Sequence, residues 1–353
     1  MPSIFSNYLD VIRFLAAFIV FIGHASGMYW TGGFLWQIGA YGDTCVVIFF
    51  VLSGFVIAYV AENKESGWQT YAASRISRLW SVAIPALVLT FVIDYAGVRI
   101  APELYIGKPW YAEDNPTLRY IASFFMLQEV WHLKLVPGIN APFWSLSFEA
   151  FYYLIFGLAI YVKSYWKWPA IFLWFLVGGP LIAILFPIWA LGVLAYKNTR
   201  QLTLSKSSSY ALFFFGLLII IASPLLRPLT STTFHVLDDV VVGRWVDAGG
   251  IYLHLLGAYG LSSYMDPLPK KLQARIAQVA ATTFCLYLFH RPLIQFFSFV
   301  GPEDANSWLR RLLVIGGTLI ITMLLYPLTE KLRLILRNFS LDKLPYRVKE
   351  VKL

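Results

Sequence analysis

An all-α fold that crosses a membrane about ten times is what this sequence predicts, and three observations carry the prediction. Hydrophobic residues fill 59% of the 353 positions, aromatic residues 18%, and charged residues only 13%, where a soluble domain carries about 25% charged residues. Mean hydropathy is +0.66. Apolar runs of span length recur along the whole chain between charged or Gly/Pro-rich breaks. With no stretch left over for a soluble domain, residues 1–353 read as one polytopic integral membrane domain, ending in a short basic tail from about residue 331.

The first span is placed near 9–30; it has neither a basic leader nor a small-residue cleavage site, so it reads as a retained helix and not a signal peptide. Spans near 43–61 and 79–98 follow. A long loop at 99–142 then mixes Pro, Trp, Tyr and charges (IGKPWYAEDNP), and its apolar piece IASFFMLQEVW, at 121–131, lies on the membrane or re-enters it. The fourth span is 143–161. The run WPAIFLWFLVGGPLIAILFPIWALGVLAY reads as two short spans, 168–185 and 187–198, broken at Gly178-Gly179-Pro180 or at Pro187. Spans near 209–226, 246–264, 278–300 and 308–330 complete the ten.

Charge tests that count. With ten spans and both termini cytoplasmic, 18 basic residues face the cytoplasm and eight face outward, four of the eight in the long 99–142 loop; Arg13 and Arg291 lie within spans. With nine spans the clusters at 270–275 and 331–352 would turn outward, against the positive-inside bias. The same distribution explains the net charge of +9 without nucleic acid, because the basic residues sit in short clusters between apolar runs. Cys45 and Cys285 lie within or beside apolar runs and read as small buried hydrophobes. The two halves do not match, and no low-complexity tract or interdomain linker is visible.

Ionisable residues inside a span are costly and mark function. In RFLAAFIVFIGH, Arg13 and His24 are eleven steps apart, about three turns plus 20° at 100° per residue, so both project from nearly one face roughly 16 Å apart. Arg13 then lies near the cytoplasmic end and His24 in the outer half of the bilayer, marking a path across it. Arg75 and Arg78 are spaced i, i+3 and so share one side of a helix start, a geometry suited to gripping phosphate. The fourth span, PFWSLSFEAFYYLIF, carries Glu149 at about the depth of His24; a buried carboxylate needs a partner, and His24, Arg291 or a water-filled cavity would each serve. Asp43 and Asp94 also fall toward outer span ends. The ninth span, FCLYLFHRPLIQFF, sets His290 and Arg291 near mid-membrane with Pro292 breaking the ladder beside them.

Other chemistries lack their handles. His132, His235 and His254 have no metal spacing and HExxH is absent, so no metal site is expected. A GxSxG elbow, a P-loop and GxGxxG are absent too, which removes the sequence signatures of serine-hydrolase, nucleotide-driven and dinucleotide chemistry.

Five segments in order, LDVIRFLAAFIVFIGH, GDTCVVIFFVLSGFVIAY, RISRLW, FWSLSFEAFYYL and CLYLFHRPL, resemble the membrane-bound acyltransferase-3 family, which includes O-antigen, exopolysaccharide and Nod-factor acetyltransferases. The resemblance implies transfer of an acyl group, typically acetyl from cytoplasmic acetyl-CoA, to a sugar hydroxyl of an envelope or secreted glycan at the bacterial inner membrane. It implies Arg75 and Arg78 as holders of the nucleotide end of the donor, Arg13 as guide of its thiol arm, and His24 at the transfer centre. His24 would act there as general base or as transient acyl carrier. Glu149 is implied as functional, orienting His24 or binding acceptor hydroxyls. Asp43, Ser53, His290 and Arg291 are the expected pocket residues, and acyl-CoA, the glycan or lipid-linked sugar acceptor and membrane lipids the expected partners. Some family members append a soluble esterase-like domain that finishes the reaction outside; with a basic tail after the last span here, such a partner is expected to be separate or unnecessary.

A secondary transporter or flippase of a glycan-related substrate is the alternative, since it too would have about ten spans and intramembrane His, Arg and Glu. Transporters commonly show matching halves, and the RxxR with a deep His suits a CoA donor better than an ion-coupled cycle.

Overall fold

Long apolar runs in hydrocarbon have to satisfy their backbone internally, and the helix does so. The computed structural model, which describes residues 1–231, 235–236 and 239–342, accordingly has a helix at each of the ten predicted spans. The end of the predicted basic tail, residues 343–353, lies outside the described residues. In chain order the helices are α1 (Ser3–Ala25), the single turns α2 (Met28–Thr31) and α3 (Trp36–Gly39), α4 (Gly42–Asn63), α5 (Trp68–Ile100), the short α6 (Pro116–Phe124), α7 (Trp144–Tyr161) and α8 (Lys167–Gly178). They continue with α9 (Pro180–Gln201), α10 (Lys206–Ser231), α11 (Val241–Ser262), α12 (Lys270–Ala281), α13 (Thr283–Val300), α14 (Trp308–Leu312) and α15 (Thr318–Asp342). Among the described residues the only β structure is a two-residue ladder, His235–Val236 against Asp239–Val240.

Among the described residues, seven helices are long and apolar enough to cross a membrane: Ser3–Ala25, Gly42–Asn63, Trp68–Ile100, Ala141–Tyr161, Pro180–Gln201, Lys206–Pro228 and Trp308–Phe339. The other predicted spans are helical for reasons that hydropathy does not capture. α8 has only 12 residues. α11 carries buried Asp247 and His254. α13 is buried at thirteen of its eighteen residues, so His290, Arg291 and Gln295 face protein and not lipid.

Several boundaries move. α1 runs from Ser3 to Ala25, not 9 to 30, because its first turns put polar Ser6 and Asp10 on a cavity where hydrocarbon hydropathy is no guide. Arg13 therefore sits mid-helix and His24 in the last turn. α5 begins at Trp68, eleven residues before the predicted span, and carries Arg75 and Arg78 inside the helix. The break in the 168–196 run falls at Gly179, whose φ of 88° favours glycine, while Pro187 stays inside α9; prolines are tolerated in membrane helices where neighbours meet the freed carbonyls.

Close packing fixes the bundle. A Cβ on Gly192 of α9 would stand 1.9 Å from the Val51 carbonyl oxygen of α4, and one on Gly54 would stand 2.1 Å from that of Trp189. Small residues thus let the two backbones touch, the usual device where no hydrophobic drive separates helix from lipid. α1 packs on α13 through Ala17, Phe21, Ile22, Leu286 and Ile294, which sets the last turn of α1 against the middle of α13. The chain after α1 is tied down by Arg310, which donates to the carbonyls of Tyr29 and Trp30 at 2.7 and 3.1 Å, and by Arg311, which donates to that of Thr31 at 3.1 Å.

Candidate active site

Two cavities open toward opposite ends of the bundle. The larger, about 510 Å³, is lined near Met1, Lys64 and Arg333 at one end and by Arg13, Arg78, Ser53, Glu149 and Tyr287 deeper in. The smaller, about 290 Å³, lies where α1 ends and α4 and α7 begin, and is lined by His24, Asp43, Ala141, Pro142, Trp144 and Tyr287. Val46 and Tyr287 line both, so these two side chains form the partition between them.

The larger cavity gathers charge. Arg13 Nη2 bonds Asp10 Oδ1 at 2.8 Å one turn earlier on α1. Glu149 accepts from Ser53 Oγ at 3.3 Å and from the Tyr153 hydroxyl, and lines the cavity with Arg13 and Arg78. Trp189 Nε1 donates to Ser53 at 3.2 Å, which ties the α4–α9 contact to this cluster. At the open end Glu330 pairs with Arg333 and accepts from Tyr326 at 3.1 Å.

Arg75 and Arg78 part company. The i, i+3 spacing gives them neighbouring directions, and the packing then divides them. Arg78 lines the cavity. Arg75 is buried, paired with Glu65, and stacked over the rings of Tyr71 and Tyr153 at 5.0 and 5.7 Å from the centroids; it supports the wall behind Tyr153.

His24 lines the smaller cavity, and its partner is His290 of α13, not Glu149. His24 Nδ1 and His290 Nε2 are 2.9 Å apart, with ring centroids 5.0 Å apart and planes 19° from parallel. His290 is fully buried and its Nδ1 is 2.9 Å from the Leu286 carbonyl oxygen. Glu149 lines the larger cavity and not the one around His24. Arg291 lines neither; its guanidinium lies 4.4 Å from the centroid of the Trp30 ring. Trp30 Nε1 in turn donates to Gln295 Oε1 at 3.0 Å. Asp43 stands at the edge of the smaller cavity, 56% exposed, and pairs with Arg227 at 2.5 Å, whose other nitrogen holds buried Asp247 at 2.7 Å.

Sequence reasoning passed over Tyr287, Trp144, Asp10, Lys64 and Arg333. Tyr287 lies three residues before His290 and hydrogen-bonds Ser145 at 3.0 Å; its place on the shared wall comes from α7 and α13 meeting, which no local pattern records. Trp144 sat in plain view in FWSLSFE as an aromatic among many.

The interior of this helical bundle thus holds two cavities that share Val46 and Tyr287, one lined by Arg13, Arg78 and Glu149 and the other by His24. The acyltransferase-3 family model, that of an acyltransferase domain, matches residues 6–327, and the chain belongs to that family. It is 31% identical over 188 residues to the acyltransferase MdmB of Streptomyces mycarofaciens, covering 50% of this chain and 44% of that protein. It is 27% identical over 164 residues to an O-acetyl transferase of Shigella phage Sf6, covering 44% of this chain and 46% of that one. To the exopolysaccharide production protein ExoZ of Rhizobium meliloti it is 26% identical over 164 residues, 43% of this chain and 44% of that one. The chain thus spans a little under half the length of these relatives. No solved structure matches it.

Proposed function

We propose that the protein is an O-acyltransferase of a bacterial inner membrane that moves acetyl from cytoplasmic acetyl-CoA to a hydroxyl of an envelope or secreted glycan. In this reading the chain crosses the membrane ten times with both termini cytoplasmic, so the Met1 end of the bundle faces the donor. The acyl-CoA enters the larger cavity, whose volume of about 510 Å³ lies within the roughly 300–1,000 Å³ usual for small-molecule sites. Lys64, Arg333 and Arg78 hold the phosphates, Arg13 follows the thiol arm, and Glu149 with Ser53 and Tyr153 orders the inner wall. The thioester reaches the partition of Val46 and Tyr287. His24 waits on the far side, where an acceptor hydroxyl enters beside Trp144 and Asp43, an aromatic face and a carboxylate suited to a sugar.

The single observation behind this reading is that the two cavities share Val46 and Tyr287, with the cations on one side and His24 on the other. The names of the phage and rhizobial relatives, an O-acetyl transferase and an exopolysaccharide production protein, agree with the substrate classes. Labelled acetyl-CoA supplied to the cytoplasmic face of membrane vesicles with a host glycan fraction tests it. Label should reach glycan with the intact chain and not with His24→Ala. Glycan moving across the vesicle membrane without label would favour transport instead.

A further inference from the structure

An imidazole has two nitrogens, and in the neutral ring one donates and the other accepts. The hydrogen bonds around His24 settle which is which. His290 Nδ1 lies 2.9 Å from the Leu286 carbonyl oxygen. A carbonyl oxygen only accepts, so His290 carries its hydrogen on Nδ1. His290 is wholly buried with Arg291 as its chain neighbour, and a second, uncompensated charge there is disfavoured, so its Nε2 is a lone pair. That lone pair faces His24 Nδ1 at 2.9 Å, and His24 Nδ1 must therefore be the donor. By elimination His24 Nε2 is bare. His24 lines the smaller cavity.

We propose that His290 is a positioning residue that locks His24 in the Nδ1–H tautomer and leaves Nε2 as the reacting nitrogen. The proposal rests on the acyl-transfer reading of this cavity. Free imidazole side chains favour the opposite tautomer, with the hydrogen on Nε2, which here would turn a donor toward the acceptor hydroxyl and remove the base. The relay starts from one backbone carbonyl, and the ring that transmits it is held in place by Phe21 and Tyr287, whose rings meet it edge-on with centroids 6.0 and 6.3 Å away.

The step follows in order. The acceptor hydroxyl gives its proton to His24 Nε2 while its oxygen attacks the thioester carbonyl carbon; the new C–O bond forms, the C–S bond breaks, and the departing CoA sulfur takes the proton back from Nε2. While His24 is an imidazolium, its Nδ1–H bond to His290 Nε2 becomes charge-assisted and stronger, so the buried ring steadies the charged intermediate form without touching substrate. If the acyl group instead rests briefly on His24, the same bare nitrogen carries it, because Nδ1 is already occupied.

The experiment uses the full chain in lipid nanodiscs, ¹⁵N-labelled at histidine, with His24→Gln to identify the His24 signals. The intact protein should show His24 protonated at Nδ1. His290→Leu removes the acceptor and should move His24 toward the Nε2–H tautomer, with kcat for acetyl transfer down about a hundred-fold or more and the KM for acetyl-CoA unchanged. His290→Gln, whose amide oxygen can accept from Nδ1, should keep the tautomer and recover most of the rate. An Nε2–H tautomer in the intact protein overturns the proposal, whether or not the Leu variant folds. Equal losses in the Gln and Leu variants with the tautomer unchanged overturn it as well, and reduce His290 to a packing residue. If the intact chain transfers no acetyl, the acyl-transfer reading falls, while the spectra still decide whether His290 sets His24.

Discussion

Along the cavity at the Met1 end, Asp10, Arg13, Arg78, Glu149, Glu330 and Arg333 come from four helices, with Arg13 paired to Asp10 and Arg333 to Glu330. The cavity around His24 is lined by imidazole and mostly apolar side chains, with Asp43 at its edge paired to Arg227 and buried Arg291 next to His290 in the chain. The contrast teaches where each kind of work is done. In the proposed reaction, holding a large anion would be shared among many groups, so that the loss of any one is of moderate cost. Proton transfer, in the same proposal, would depend on one nitrogen of one ring.

The comparison breaks most easily at its sharpest point. His24→Ala should cut transfer by about a thousand-fold or more, the scale of losing a positioned acid–base group, while the protein remains folded in the membrane; a variant that keeps half its activity in the vesicle assay would place the chemistry elsewhere. Arg75→Ala should act on the fold and not on the donor, since it strands buried Glu65 at a cost of about 3–5 kcal/mol. A lowered melting temperature with an unchanged KM for acetyl-CoA is the expected result, and a raised KM at unchanged stability would return Arg75 to the donor site. Arg78→Ala should raise the donor KM about ten-fold, the loss of one charge-assisted contact, and leave kcat largely intact; a loss as complete as that of His24→Ala would end the argument from shared cations.

The smallest effect sharpens the boundary between the two regions. Tyr287→Ala opens the partition and should shift the ratio of butyryl to acetyl transfer upward several-fold, a fraction of the roughly 1–3 kcal/mol that a methylene is worth in a closely fitted apolar pocket. Competition between the two labelled acyl-CoA donors measures it. An unchanged ratio would mean that the acyl group does not pass Tyr287.

Much of this was legible in the chain. The alignment of Arg13 and His24 on one face follows from 3.6 residues per turn, and the ten helical segments follow from runs of apolar residues between breaks. The RxxR spacing was legible too, but its meaning was not: Arg75 and Arg78 differ by three residues, and only Glu65, Tyr71 and Tyr153 packing against one of them separates a structural arginine from a cavity arginine. Depth alone suggested that Glu149 could meet His24. Depth fixes one coordinate of a helix in a bundle, and the rotation of α7 turned Glu149 toward Ser53 and Tyr153 instead.

By itself the sequence determined that this protein is a helical membrane bundle with ionisable groups inside it, because hydropathy and helical periodicity are local and are enforced by a solvent that cannot satisfy a bare backbone. Which of those groups meet was decided by tertiary structure alone. His24 and His290 are 266 positions apart, and their hydrogen bond exists because small and aromatic side chains on α1 and α13 interlock at one register, a condition of shape that no local pattern of residues records.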